Sequence, residues 1–289
     1  MKLIKNGFLV AALVSQPIFA CTMDGMEGFV PENNLKISVG AKRVGGITEE
    51  QFNKVIDAVE NFYRPVIAKA GAKLTVVRKW TDATVNAYAQ QSGKEWKVSM
   101  FGGLARHATI TQDGMSLVVC HEIGHHIGGA PLYSYKSGWA ATEGQSDYFA
   151  TTKCLRQVWI GDDNEAIVAA MEVPEAVKAT CGKAWIFNAD YNLCIRGAMA
   201  GDSVARLFAS LEGKQPAKFE TPDAKIVTKT QESHPASQCR LDTYFSGALC
   251  EASMTEDFTR TSEVVGACHP SLGMTVGNRP LCWFRPAAI

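Results

Sequence analysis

The chain lacks a charge imbalance, internal repeats, and apolar runs long enough to matter beyond its N-terminus. Its 289 residues set 29 lysines and arginines against 29 aspartates and glutamates, a formal net charge of zero. No basic cluster stands out, so nucleic acid is a poor partner, because neutralising phosphates needs a concentrated positive surface. The absence of repeats and low-complexity tracts excludes a solenoid array and a disordered scaffold. No internal stretch is apolar over the length of a bilayer, so the mature chain is expected to be soluble or tethered. A histidine is also missing from position 131, where Pro131 stands, and that absence decides a point below.

The first twenty residues read as an export signal. Lys2 and Lys5 give a positive start, residues 8–14 an apolar core too short to span a membrane, and Ile18-Phe19-Ala20 a cleavage site. Residues 1–20 are thus the signal and 21–289 the mature chain, which has room for one large or two small domains. Nine cysteines suit an oxidising compartment, placing the protein in the periplasm, at the outer membrane, or outside the cell. Cys21 directly follows the cut, as in bacterial lipoproteins. Lipidation there would tether the protein to a membrane and leave eight cysteines for four bridges. Phe19 is atypical of that signal, so plain cleavage stays open beside it.

Along the chain, Thr48-Glu49-Glu50-Gln51 is a capping box, and apolar residues from Phe52 recur at helical spacing to about residue 70. Strands are expected at 73–80, about 85–90 and 95–105, with a turn at Ser92-Gly93 between the last two. Gly102 and Gly103 fall inside the third strand. There they mark either a bulge or a place where another backbone comes close, and a substrate strand is one such neighbour. Residues 181–194 read as a disulfide-rich loop, and the tail from Cys268 as irregular and stapled to the body. Cys239 and Cys250 are about 16 Å apart on one helix, so each needs another partner. Cys120 either pairs or packs as a small apolar residue.

His121-Glu122-Ile123-Gly124-His125 organises the rest. Four residues on an α-helix return a side chain to nearly the same azimuth, so His121 and His125 can hold one zinc ion from one face, with Glu122 flanking it. Two imidazoles and an adjacent carboxylate are what hydrolysis at zinc requires. A third histidine in the extended form of this motif would fall at 131, and Pro131 excludes that class. His126 lies about 100° round the helix from His125 and reads as a surface or second-layer residue. Further on, Glu143 and Asp147 are also four apart on a second helix. One can bind the metal while the other accepts a hydrogen bond from a ligating histidine; an acidic helix start is the competing reading.

H-E-x-x-H followed by E-x-x-x-D resembles the gluzincin pattern of zinc peptidases, whose third ligand is a glutamate on a second helix. The stretch 98–106 with its Gly-Gly pair, and Ser233-His234-Pro235 followed by Arg240, are similar to segments of the HtpX and CAAX-prenyl-endopeptidase family, in the same order over 98–240. The resemblance implies an α+β, zincin-like metallopeptidase fold: a small mixed sheet with an edge strand over a mostly helical active-site core. It implies Zn2+ held by His121, His125 and Glu143, Glu122 as general base, and Asp147 orienting a histidine. Gly102 and Gly103 would lie in the edge strand that pairs with a peptide substrate, while His234 and Arg240 face the oxyanion. From the residues alone, His234 sits at a helix mouth set by Pro235 and could merely cap that helix, and Arg240 could pair with Asp242 or Glu251. The family's membrane helices are absent and cysteines are more numerous. The expected function is a zinc endopeptidase acting outside the cytoplasm. A zinc-containing envelope binding or chaperone-like protein and a cell-wall peptide amidase are the alternatives.

Overall fold

Thr48 starts helix α1 (Glu49–Lys69) as its sequence predicts: the Thr48 hydroxyl accepts from the Gln51 N–H, and the Gln51 side chain accepts from the Thr48 N–H. The structure is a computed structural model that describes residues 27–41, 45–134 and 138–286. The expected signal and Cys21 lie outside them. The buried face of α1, from Phe52 through Ile56, Val59 and Tyr63 to Ile67, packs on strand β1 (Lys73–Lys79) and on the motif helix.

Three strands form one mixed sheet in the order β1-β3-β2. β2 (Ala87–Ser92) pairs antiparallel with β3 (Glu95–Phe101), and β3 pairs parallel with β1. The turn between β2 and β3 has Gly93 at φ +58°, which a side chain would resist. The expected third strand is corrected here in two respects. It ends at Phe101, and it lies in the middle of the sheet, so the edge strand on its antiparallel side is β2. Gly102 and Gly103 instead open a short helix, α2 (Gly102–Ala105). A Cβ on either would run into backbone carbonyls, of Trp80 and Ala83 respectively. Gly103 N–H and Leu104 N–H donate to the carbonyls of Asp82 and Thr84. The backbone that comes close is therefore the chain's own segment 80–84.

The motif helix α3 (Gln112–Ile127) is capped by the Thr111 hydroxyl, which accepts from Gly114 N–H at 3.0 Å. Residues 114–126 are all buried, because α1, the sheet, α4 (Glu143–Phe149) and α8 (Asn188–Glu212) surround this helix. After α4 the chain makes a π-helical turn (Ala150–Cys154) and continues as α5 (Leu155–Trp159). Helix α6 (Asn164–Ala169) starts at Asp163, whose carboxylate accepts from Ala166 N–H, and α7 (Glu175–Ala184) follows. The expected loop 181–194 is mostly helical, spanning the end of α7 and the start of α8. Last among these helices is α9 (Ser237–Leu249), packed on α8, α4 and the π turn.

Four disulfides take up the eight cysteines of the described residues: Cys120–Cys154, Cys181–Cys194, Cys239–Cys282 and Cys250–Cys268. Cys120 thus pairs, pinning α3 to the π turn, while Cys239 and Cys250 bind the tail to α9. Among the described residues no helix is long and apolar enough to cross a membrane. Helices around a small mixed sheet make the fold α+β, with its core where α3 meets the sheet, α1, α4 and α8.

Candidate metal centre

One turn of α3 sets His121 beside His125, and α4 begins with Glu143 facing both. His121 Nε2 is 3.3 Å from Glu143 Oε2, and His125 Nε2 is 3.7 Å from Glu143 Oε1. The remaining ring nitrogens are engaged. His121 Nδ1 lies 2.7 Å from Asp147 Oδ1, and His125 Nδ1 lies 2.8 Å from the Ala141 carbonyl. Both partners accept only, so each Nδ1 donates, and each Nε2 is the atom that would present a lone pair to a metal at the common point once unprotonated. The three residues are essentially without solvent exposure, and His121 Nε2, His125 Nε2 and Glu143 Oε2 have no hydrogen-bond partner. Buried polar atoms are rarely left so. Ligand bonds of about 2.0–2.1 Å in tetrahedral array put neighbouring donor atoms about 3.3 Å apart. One ligand atom from each of the three residues lies within 4.8 Å of the others, so this nitrogen–oxygen donor set could hold a metal ion.

Further side chains hold this arrangement in place. Tyr133 donates its hydroxyl to Glu143 Oε1 at 2.8 Å. Asp147 accepts from His121, from Tyr244 Oη at 2.7 Å, and from Arg240 Nε and Nη2, each at 2.8 Å. Burial opposes ionisation of Asp147, but Arg240 and His121 overcome it and hold the carboxyl below its usual value. Arg240 spends its third nitrogen on the Phe29 carbonyl at 2.8 Å and lies over the Phe208 ring. Its expected place facing an oxyanion is corrected accordingly: a fully buried guanidinium needs a counter-charge and finds it in Asp147. Neither Asp242 nor Glu251 is its partner; Asp242 binds Gln238 and Asp223 N–H.

Glu122 is fully buried, neither carboxylate oxygen has a hydrogen-bond partner, and burial pushes its pKa up to about 8. A nearby cation would pull that value down again. Burial also works against charge on His121, yet Asp147 and Glu143 outweigh it and raise its pKa to about 9, whereas burial depresses His125 to about 4.

His234 reaches the site from the loop before α9. The helix starts two residues later than Pro235 suggests, with Ala236 as N-cap, so His234 does not cap it. Its Nε2 donates to the Gly28 carbonyl at 2.8 Å and lies 3.3 Å from Glu143 Oε2, while Nδ1 meets Glu27 Oε2 at 2.9 Å. The structure thus brings together His121, Glu122, His125, Glu143, Asp147 and His234. It leaves Gly102 and Gly103 out, in a packing role, and sets Arg240 behind Asp147.

His126 is buried rather than at the surface, stacked between Trp96 and Trp139 with centroids 5.2 and 5.0 Å away. Tyr133 and Tyr244 carry no signature in the zinc motif. Tyr244 had a usable one, since it lies four residues after Arg240 and so on the same helix face. Tyr133 stands in a loop, where spacing says nothing. No family model, no curated protein and no solved structure matches this chain.

Proposed function

We propose that the chain is a zinc-dependent endopeptidase of gluzincin type on a zincin-like fold, acting on peptides outside the cytoplasm. The observation that carries this reading is the set of three buried, partnerless donor atoms at His121, His125 and Glu143, with both Nδ1 atoms already engaged. Zinc bound there supplies Lewis acidity toward a carbonyl and lowers the pKa of a water. Glu122, adjacent on α3 with no other partner, takes the water's proton and returns it to the leaving amine. His234 donates from Nε2 to the oxygen that gains negative charge. Asp147 fixes the tautomer of His121, Arg240 and Tyr244 fix Asp147, and Tyr133 orients Glu143. The four disulfides support an exported location.

The test is to purify the full chain from an oxidising compartment, measure zinc by elemental analysis, and incubate it with unfolded casein and with cell-wall fragments, with and without a chelator. About one zinc per chain and chelator-sensitive cleavage of casein are expected. Glu122→Gln should keep the zinc and lose turnover. A zinc-free protein, or casein cleavage that survives Glu122→Gln, overturns the reading; cleavage of wall fragments alone would make the enzyme an amidase.

A further inference from the structure

The proposed catalytic donor of His234 is occupied by the chain itself. Residues 27–30 run across the centre: Gly28 offers its carbonyl to His234 Nε2, Glu27 meets His234 Nδ1, and Phe29 presses edge-on against His121 at 4.9 Å between centroids. The same stretch meets the edge of the sheet through its main chain. Phe29 N–H donates to the Ala87 carbonyl at the start of edge strand β2, and the Asn86 amide bonds both Val30 N–H and Val30 C=O. Main-chain pairing at a sheet edge plus a carbonyl held by the oxyanion donor is how an extended substrate is gripped. His121, against which Phe29 lies, has essentially no solvent exposure, and neither do Glu122, His125 and Glu143.

We infer that residues 27–28 are a substrate-like gate, anchored by Phe29 and Val30, which keeps the enzyme latent until it swings away. The two parts differ in how firmly they are held. Phe29 and Val30 are fully buried, with Phe29 against Phe208 and its carbonyl bonded to Arg240. Glu27 is half-exposed, its side chain retaining 36% of its accessible surface. Gly28 must be a glycine in the closed position, because a Cβ would run into the Asn86 amide. Opening frees His234 Nε2 for a substrate carbonyl without disturbing Asp147 or Arg240.

This inference rests on the peptidase reading, and two variants test it on the full chain. Glu27→Ala removes the contact to His234 Nδ1, and Gly28→Ala makes the closed position sterically unfavourable. Each should raise kcat/KM on unfolded casein by about tenfold, because apparent affinity scales with the open fraction. Each should also speed zinc loss to a chelator, with zinc content at the start unchanged. If the parent is active and both zinc-loaded variants neither gain activity nor lose zinc faster, the gate is wrong and the peptidase reading stands. If parent and variants all carry zinc and none cleaves casein, the peptidase reading fails and latency fails with it. Gly28→Ala can disrupt folding, which its melting temperature reveals; Glu27→Ala, at a half-exposed position, then decides alone.

Discussion

Replacing Arg240 tests whether it acts on substrate or holds the site together. In the structure its guanidinium makes two hydrogen bonds to Asp147 and one to the Phe29 carbonyl, with about 1% of its surface exposed. Arg240→Leu leaves the Asp147 carboxylate buried with His121 and Tyr244 as its remaining partners. Breaking a buried ion pair from one side costs about 3–5 kcal/mol. For a chain of this size that is roughly 6 to 20 °C in melting temperature. Asp147→Asn should cost a similar amount, because it strands the cation instead. The double variant should lose clearly less than the sum, since neither charge is then left alone. The assay is thermal unfolding of the zinc-loaded protein for the four members of the cycle, with casein turnover measured below each transition. A surface pair is worth only about 0–1 kcal/mol. If Arg240→Leu melts within that range and its kcat collapses, Arg240 faces the reacting atoms and its assignment as a positioning residue is wrong.

Glu143→Ala should sharply lower zinc content, and full occupancy in that variant would mean Glu143 is not the third ligand. His234→Ala should cut kcat by about 10²- to 10³-fold while zinc and melting temperature stay close to those of the parent; a destabilised but fully active variant would refute the role of its Nε2. In the metal-free protein, His121 titrates at about 9 against 6.5 and Glu122 at about 8 against 4.5. The folded state therefore binds these protons more tightly than the unfolded chain, and metal-free stability should fall as pH rises from 6.5 to 9. Below pH 6.5 Glu122 still adds stability as pH falls to 4.5, but His125 and His126, depressed to about 4 and about 3, together outweigh it, so stability should fall as pH drops from 6.5 toward 4. Melting temperatures of chelator-treated protein that rise steadily from pH 6.5 to 9 would contradict both raised values.

What was legible in the sequence was whatever repeats within one element. Helical spacing put His121 beside His125 and Glu143 beside Asp147, and the capping box at Thr48 started α1 where expected. Parity pointed to four bridges, and helix rise separated Cys239 from Cys250, but nothing local could name Cys154 as the partner of Cys120. Three readings depend on what lies across from a residue, which no local pattern shows. Gly102 and Gly103 look the same whether a substrate or segment 80–84 approaches them. Arg240 carries the same charge whether it faces an oxyanion or Asp147. His126 is hydrophilic by type and yet lies between two tryptophan rings. Residues 27–30 carry no signature, since a chain that contributes carbonyls and one aromatic ring to a distant site has no period to detect.

The burial of so many ionisable groups becomes intelligible when their charges are balanced together. Without metal at neutral pH, the interior holds Asp147 and Glu143 as anions and Arg240 and His121 as cations, with Glu122 kept neutral by burial. That set is neutral, as a region of low dielectric demands. A divalent cation held by His121, His125 and Glu143 would require Nε2 of His121 unprotonated and would favour ionisation of Glu122. Two positive charges enter and about two protons leave, so the interior stays neutral in both states. The same exchange ionises the carboxylate that the proposed mechanism needs as a base. On the proposed reading, that ionisation would wait for the metal, and Glu122 would become a base only beside the ion it serves.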